Sequence, residues 1–521
     1  MAVLSDAWGL ARFAVGTRKY LRQPMTIHEA TAFIKAQMQD RDRAFLHILE
    51  HAVYAHPRSP YLKLLQAAGC ELGDVRKMAQ QDGIDETLRK LCDAGVYVTF
   101  DEFKGRSSAV RGSQTFSFHD ADFDNPLFGA HFRGTTGGTR GRAATVHFNL
   151  DHIGQMTPHW AAWFEAHQWW GRPIVAWTTI FAAVANGLIR YRKLGAKFVK
   201  WFSLGSGGTL RDRMTANALI RTLQWSAGFP ATQYVPLSRA DVVADYVVGL
   251  LRDGQKPLVN TSASAAARVS LAAQQRGQSL RDVSFLLRGE PLTAARRAAI
   301  EASGAAAVQT YGSAEGGTVG SQCACPGVAD DIHVYRDAFV ALTRPLQISE
   351  GYDVPALLLT SLRSASPKIM LNTEIGDYAT SETRACGCFF DQLGYTQHLH
   401  TVRSFQKLTG EGVTFVAADL YPLIEDTLPR RFGGGITDYQ LVEEQDASGL
   451  PRYTLYVSPG VGALDESAVV KFFCDELAGM KGSYRHMMAL WAQGDVLKVK
   501  RQPPVPSGRG KILPFRTLGA Q

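Results

Sequence analysis

The stretch from Val283 to Gly317, VSFLLRGEPLTAARRAAIEASGAAAVQTYGSAEGG, decides the fold. Val283–Leu287 is a short apolar run bounded by polar residues, the pattern of a strand buried on both faces. Thr293 stands where a helix N-cap belongs, ahead of an Ala-rich run that Gly304 stops. Ala306–Tyr311 returns to strand. Strand, helix and strand in this order predict two parallel strands joined by a covering helix. Arg288-Gly289-Glu290-Pro291 and Gly312-Ser313-Ala314-Glu315 then fall at the carboxyl ends of those strands. Ligands of open α/β sheets bind there.

The same alternation extends upstream. Ile174–Thr178 reads as a strand, followed by a helix to Gly195 and a strand through Phe198 and Trp201. A helix over roughly 209–228 and a strand at 233–236 come next. Ser238 opens a helix with an apolar face of Val242, Val243, Tyr246, Val247, Leu250 and Leu251, which Gly254 stops. Pro257–Asn260 is a strand, and an Ala-rich helix ends at Gly277. The expectation is an α/β domain with a largely parallel sheet covered by helices. The first 110 residues read as a polar helical entry segment. After residue 403, Tyr439–Glu443 and Tyr453–Val457 flank the turn-rich Asp446-Ala-Ser-Gly449 as a hairpin. A helix over Glu466–Met480 and a basic strand at 496–500 follow. The chain therefore divides into a large domain, 1–402, and a small α+β cap, 403–521.

Composition narrows the class. Of 521 residues, 45% are hydrophobic and 20% charged, which excludes a disordered or collagen-like chain. The formal charge of +8 comes without a dense Lys/Arg block, so no nucleic-acid partner is expected. No run of 18 apolar residues is present, so no stable membrane insertion is expected. The first 25 residues lack the pattern of a secretory signal, and the protein is read as cytoplasmic. In that compartment the close pairs Cys323-Ala-Cys325 and Cys386-Gly-Cys388 read as metal ligands before disulfides. Cys70, Cys92 and Cys474 read as small core residues.

Four segments can carry chemistry. Gly134-Thr135-Thr136-Gly137-Gly138-Thr139-Arg140-Gly141 combines backbone N–H groups, hydroxyls and a cation, the makings of an anion cradle. It also fits a polar hairpin between Phe132 and Val146. No Gly-Lys-Ser/Thr follows, so it is not the common nucleotide loop. Tyr311 to Glu315 offers a ring for a base and a carboxylate for Mg²⁺. Gly289-Glu290-Pro291 and Ile375-Gly376-Asp377 are turns whose acids could bind polar ligand groups. Taken singly, each of these three is also a structural turn. Gly205–Thr209 reads as a plain turn. Seven of the nine tryptophans lie between Trp160 and Trp225, as core packing or as the wall of an apolar pocket. His159 and His167 read as surface or capping residues.

In this order the segments resemble the adenylate-forming superfamily of acyl-CoA synthetases, luciferases and adenylation domains. The nearest likeness is to its phenylacetate–CoA ligase-like branch, shared by Ser59-Pro60-Tyr61 and by Val98 to Phe103. The resemblance implies that Thr135 and Thr136, with Gly134, Gly137, Gly138 and Arg140, hold ATP phosphates. It implies that Gly289, Glu290, Pro291, Tyr311, Gly312 and Ser313 surround the adenine. Glu315 would hold Mg²⁺, and Asp377 and Arg403 the ribose. Lys511, in Ser507-Gly-Arg-Gly-Lys511, would be the catalytic lysine, carried by a cap hinged at 403–407. Relatives also imply a structural Zn²⁺ on Cys325, His333, Cys386 and Cys388, with Cys323 an extra or an alternative ligand, since three thiolates and an imidazole suit a closed tetrahedral site.

The implied activity is ATP-dependent activation of a carboxylic acid, aromatic or apolar, through acyl-AMP, followed by thioester formation with CoA. Transfer to an acyl carrier protein, an enzyme cysteine or an amine is an alternative with the same ATP-side residues. Arg133 and Ala314 depart from the family pattern and leave a non-catalytic nucleotide-binding scaffold as a further alternative. Homodimers are plausible at this size.

Overall fold

The computed structural model describes residues 2–129, 132–135, 145–179, 182–204, 210–313, 315–349, 352–404, 407–410, 413–416, 420, 422–435, 438–445, 451–480, 482–505 and 514–517. Its centre is a twelve-stranded mixed sheet. Six strands run parallel, in the order Thr232–Tyr234, Phe198–Ser203, Ile174–Thr178, Leu258–Thr261, Ser284–Leu287 and Ala306–Ser313. Their buried runs match the sequence reading: every residue of Leu258–Thr261 and Ser284–Leu287 is buried. The chain order reverses between Ile174–Thr178 and Leu258–Thr261, which makes that gap the switch point of the parallel half.

The expectation of a largely parallel sheet holds only for this half. Beyond Ala306–Ser313 the sheet continues antiparallel through Gly317–Ser321, Ile332–Val334, Gln397–Ser404, Thr373–Thr383, Tyr352–Ser361 and Phe339–Ser349. The strand Ala306–Ser313 thus belongs to both halves. At its end the ladder slips between Tyr311 and Gly312. Gly312 is required there, because a Cβ would lie 2.4 Å from the Gly317 carbonyl oxygen.

The crossover helices form close to the bounds read from the sequence, but Ser238 does not cap its helix: Ala240–Arg252 follows the 3₁₀ turn Leu237–Arg239 and has no side-chain N-cap bond. Thr293 accepts a hydrogen bond from the Arg296 N–H and caps Ala294–Glu301, and Gly304 ends the turn with φ +89°. One face of the sheet carries Ala240–Arg252 and Ala263–Gln275 over Val259, Phe285 and Leu287. The other carries Leu150–Ala166 and Ala182–Lys193 over Trp201, Leu258 and Leu286. Trp160, Trp163, Trp169, Trp177 and Trp201 are buried, so most of the tryptophan cluster is core, whereas Trp225 is exposed. The entry segment is helical, but it has its own apolar core, in which Tyr61, Leu88 and Phe103 pack on Leu358 and Leu371 of the antiparallel half.

The C-terminal segment has a separate core around Tyr439, Leu455, Phe473 and Trp491. Its hairpin, Tyr439–Gln445 with Pro451–Val457, sits in a four-stranded sheet covered by Glu466–Met480 and Gly482–Gly494. It touches the large domain through Gln493, whose side-chain oxygen accepts the Leu237 N–H at 3.2 Å. Among the described residues, no helix is long and apolar enough to cross a membrane.

Candidate functional site

A cavity of about 350 Å³ opens where the two halves of the sheet meet. Its lining comes from four separate stretches: Gly289–Pro291, Gln309–Ser313 with Glu315, Asp377, and Val402–Ser404. Phe100, Lys104 and Asp330 complete it. Register explains the convergence. Asp377 pairs with Ser404 and Tyr378 with Arg403 across neighbouring antiparallel strands, while Gly289–Pro291 follows the parallel strand beside Tyr311.

Tyr311 donates its hydroxyl to Asp377 Oδ2 at 2.8 Å. Burial, and then the Asp377 carboxylate, hold the Tyr311 proton well above the usual tyrosine range. Arg403, expected at the ribose, donates from Nη1 to Asp330 Oδ2 at 2.6 Å. Asp330 also accepts the Thr401 N–H at 3.1 Å, and so fixes the end of that strand. Glu290 differs from its expected role. Its carboxylate is buried and accepts from the Ser264 N–H at 2.9 Å and the Ser264 hydroxyl at 2.8 Å, with Arg296 at 3.4 Å. Glu290 therefore ties the cavity wall to the first turn of Ala263–Gln275, and it is the turn itself that faces the cavity.

Two residues here escaped the sequence reading. Asp330 is one. Lys104, whose Nζ lies 2.9 Å from Glu315 Oε1 and 3.1 Å from Asp120 Oδ1, is the other. Burial works against the Lys104 charge, but Glu315 and Asp120 outweigh it and raise its pKa. Lys104 follows the helical turn Phe100–Phe103, which a Thr99/Glu102 capping box secures. Ser313 accepts the Gly316 N–H at 3.1 Å and closes the turn carrying Glu315. Gly134 and Thr135 lie in the strand Phe132–Thr135, which pairs with Thr145–Phe148 as a hairpin. Thr136, Gly137, Gly138, Arg140 and Lys511 lie outside the described residues, as do Gly205–Thr209.

The thiol cluster requires a correction. Cys323, His333, Cys386 and Cys388 bring donors within 4.8 Å of one another, as do His333, Cys386, Asp391 and His398, whereas Cys325 is exposed; the first set carries the three thiols. Cys323 is held inward because Trp163 Nε1 and His167 both bond the preceding Gln322 carbonyl, at 3.0 and 2.9 Å. The Cys325 N–H donates to Cys323 Sγ at 3.4 Å. Tetrahedral Zn²⁺ asks for S···S near ~3.8 Å and S···N near ~3.6 Å. The observed separations are 3.9 Å for Cys323–Cys386, with 3.5 and 3.4 Å from His333 Nε2 to Cys386 and Cys388. His333 Nδ1 lies 2.6 Å from the Tyr395 carbonyl, which sets the tautomer that leaves Nε2 as a ligand. Asp391 accepts the Cys386 N–H at 2.7 Å. Hydrogen bonding from Cys323, supported by His333 and Cys386, favours the Cys388 thiolate. The donor set fits a closed tetrahedral ion.

His159, read as a surface or capping residue, is fully buried instead. Its Nε2 lies 2.9 Å from Asp337 Oδ1, and Arg363 and Tyr395 donate to the same carboxylate at 2.5 and 2.7 Å. This network braces Leu150–Ala166 against the antiparallel half.

No protein-family model matches the sequence, and no curated protein does. Among solved structures the chain is similar to a 2-hydroxyisobutyryl-CoA ligase in its postadenylation state, at 14% identity, over 95% of this chain and 90% of that one, with a TM-score of 0.45. It is similar to an amide bond synthetase from Marinactinospora thermotolerans at 13% identity, over 92% and 93%, with a TM-score of 0.40. A third is an AMP-forming acyl-CoA synthetase-like protein from Dyadobacter fermentans, at 12% identity, over 73% and 87%, with a TM-score of 0.29.

Proposed function

We propose that the protein activates a carboxylic acid with ATP as acyl-AMP and then passes the acyl group to a thiol, that of CoA. One observation carries this reading: Gly289–Pro291, Tyr311–Ser313, Glu315, Asp377 and Arg403, quoted for the family resemblance from separate parts of the chain, line a single cavity. The acid has an apolar or aromatic body. Adenine packs by Tyr311 and the Gly289–Pro291 turn, and the ribose hydroxyls meet Asp377 and Arg403. Glu315 would hold Mg²⁺, which neutralises phosphate charge, once Lys104 gives way. Thr135, Thr136 and the glycines of their loop cradle the outer phosphates.

A carboxylate is a poor electrophile, and AMP turns its oxygen into a leaving group. Negative charge builds at the α-phosphate in that step, so a cation there lowers the barrier most. Lys511 fills that role, and the cap turns about residues 403–407 before the thiol attacks. Cys323, His333, Cys386 and Cys388 hold a structural Zn²⁺ away from this chemistry. Pyrophosphate exchange over a panel of acids tests the reading. Exchange should appear with at least one acid and fall by about 10²-fold or more in Lys511→Ala. No exchange with any acid, or an unchanged rate in that variant, overturns it. Adding CoA should then release AMP and yield the thioester. An acyl-AMP consumed only by a carrier protein or an amine would reassign the acceptor.

A further inference from the structure

Two arginines stand beside the switch point with no anion among the described residues to balance them. Arg190, on Ala182–Lys193, is 5% exposed. Its Nε has no partner, and its guanidinium carbon lies 5.7 Å from the centre of the Trp160 ring. Arg288, directly after Ser284–Leu287, lies 5.2 Å from the same ring. Its single side-chain hydrogen bond is to a neutral acceptor, Asn260 Oδ1, at 2.9 Å. Neither makes an ion pair among the described residues. The groups that act most on Arg190 are Arg288, which repels it, and Tyr20, Tyr191 and Tyr335. Those tyrosines supply no charge: burial keeps each protonated, and their hydroxyls bond Thr157, Asn260 and Ser321. Residues 130–148, the phosphate-loop region, contain no Asp or Glu.

The backbone is shaped to admit this pair. Gly187 faces Arg288, and a Cβ there would lie 2.6 Å from its Nη1. Arg190 is buried and Arg288 half-buried; an unbalanced buried cation is a large cost in a fold, and sharing one indole recovers only part of it. Such a cost persists when a ligand supplies the missing charge. The location agrees: Asn260 and Arg288 lie at the carboxyl ends of adjacent strands next to the switch point, where α/β sheets bind ligands. Arg288 immediately precedes Gly289 of the nucleotide cavity. Its strand adjoins that of Tyr311, one strand spacing of about 5 Å away.

We propose that the acid substrate carries a second anionic group, which Arg190 and Arg288 bind at the far end of the acyl site. This rests on the acid-activating reading above and specifies its substrate class as dicarboxylates or aromatic acids with a second acidic group. The two acidic groups would be separated by about 5 to 10 Å, one to two strand spacings.

The test compares matched acids in pyrophosphate exchange: adipate, suberate and terephthalate against hexanoate, octanoate and benzoate. At least one diacid should exceed its monoacid about 10-fold or more in kcat/KM. Arg190→Met and Arg288→Met should each lower the diacid value about 10- to 100-fold and reverse the preference. If every monoacid equals or exceeds its diacid, the proposal is overturned while acid activation stands. If no acid supports exchange, acid activation fails and thermal shift reads the anion site by itself. The same diacids should then raise the melting temperature of the wild type and not of Arg190→Met. Equal shifts, or none, overturn it. Arg190→Met should also melt higher than the wild type without ligand, whereas a purely structural arginine would make the variant melt lower.

Discussion

The thiol cluster separates two cysteines that the sequence presents as near equivalents. Cys323→Ser removes a donor that lies 3.9 Å from Cys386, and Cys325→Ser removes an exposed side chain. The structure expects about one Zn per chain in the wild type and in Cys325→Ser, and little in Cys323→Ser. The stability cost follows from the loop the ion closes. Cys323 and Cys386 are 63 residues apart. By the chain-entropy relation, a cross-link over such a loop is worth about 4 kcal/mol. At roughly 2 cal/mol/K per residue over some 400 residues, that becomes a fall in melting temperature of about 5 °C. Atomic emission on dialysed protein measures the metal, and differential scanning calorimetry measures the temperature. Chelation should bring the wild type down to the Cys323→Ser value and leave that variant unmoved. Full zinc in Cys323→Ser, or its loss from Cys325→Ser, would refute the ligand set.

Two further outcomes can be checked. Lys104 holds Glu315 at 2.9 Å, so the proposed Mg²⁺ would have to compete with it. Lys104→Met should therefore lower the Mg²⁺ concentration for half-maximal exchange about 10-fold, one charge-assisted bond's worth, and an unchanged Mg²⁺ curve would contradict this. His152 is half-buried with its Nδ1 out of solvent, and desolvation followed by the charge of Arg190 pushes its pKa down to about 3. It folds neutral, and the unfolded chain takes up a proton below pH ~6.5, so stability falls as pH drops from there towards 3. At pH 5 this amounts to about 2 kcal/mol. The melting temperature of His152→Asn should fall less between pH 7 and 5 than that of the wild type, and parallel curves would exclude the assignment.

How far the sequence could be read depended on where the deciding contacts lie. The parallel half was legible because its strands are buried on both faces and its helices carry local caps such as Thr293. The antiparallel half was not. Phe339–Ser349 and Tyr352–Ser361 each contain a proline, which argues against a strand. Pro345 lies on the edge strand of the sheet, and Pro355, paired opposite it, lies just beyond the ladder to Thr373–Thr383, so neither missing N–H breaks a bond to a further strand. His159 misled for a related reason: its partner Asp337 is 178 residues away, and nothing near it in the chain marks it as buried. Cys323 and Cys325 have the same local spacing to the rest of the cluster. The choice between them is made by Trp163 and His167 gripping the Gln322 carbonyl, a contact of two elements separated by 155 residues or more.

The candidate site shows the same division within a few ångströms. Gly289–Pro291 follows a parallel strand and Tyr311–Ser313 ends another, just past its parallel pairing, so hydrophobic runs alone direct attention to them. Asp377 and Arg403 come from antiparallel strands; Asp377 stood out as the acid of a Gly-containing segment, and Arg403 only through the family resemblance. Lys104 and Asp330 come from outside both patterns. All of them meet because Ala306–Ser313 pairs in parallel along one edge and antiparallel along the other. A strand with two kinds of neighbour brings a βα loop and a β-ladder to one point, and the slip at Tyr311 and Gly312 falls at that strand's end. Bulges of this kind re-aim a side chain beside a site, and here Tyr311 reaches Asp377 across the junction at 2.8 Å. A substitution that forced regular pairing at Gly312 would therefore disturb the Tyr311–Asp377 bond before it disturbed the core. That makes the junction, more than either half of the sheet, the element on which the proposed chemistry depends.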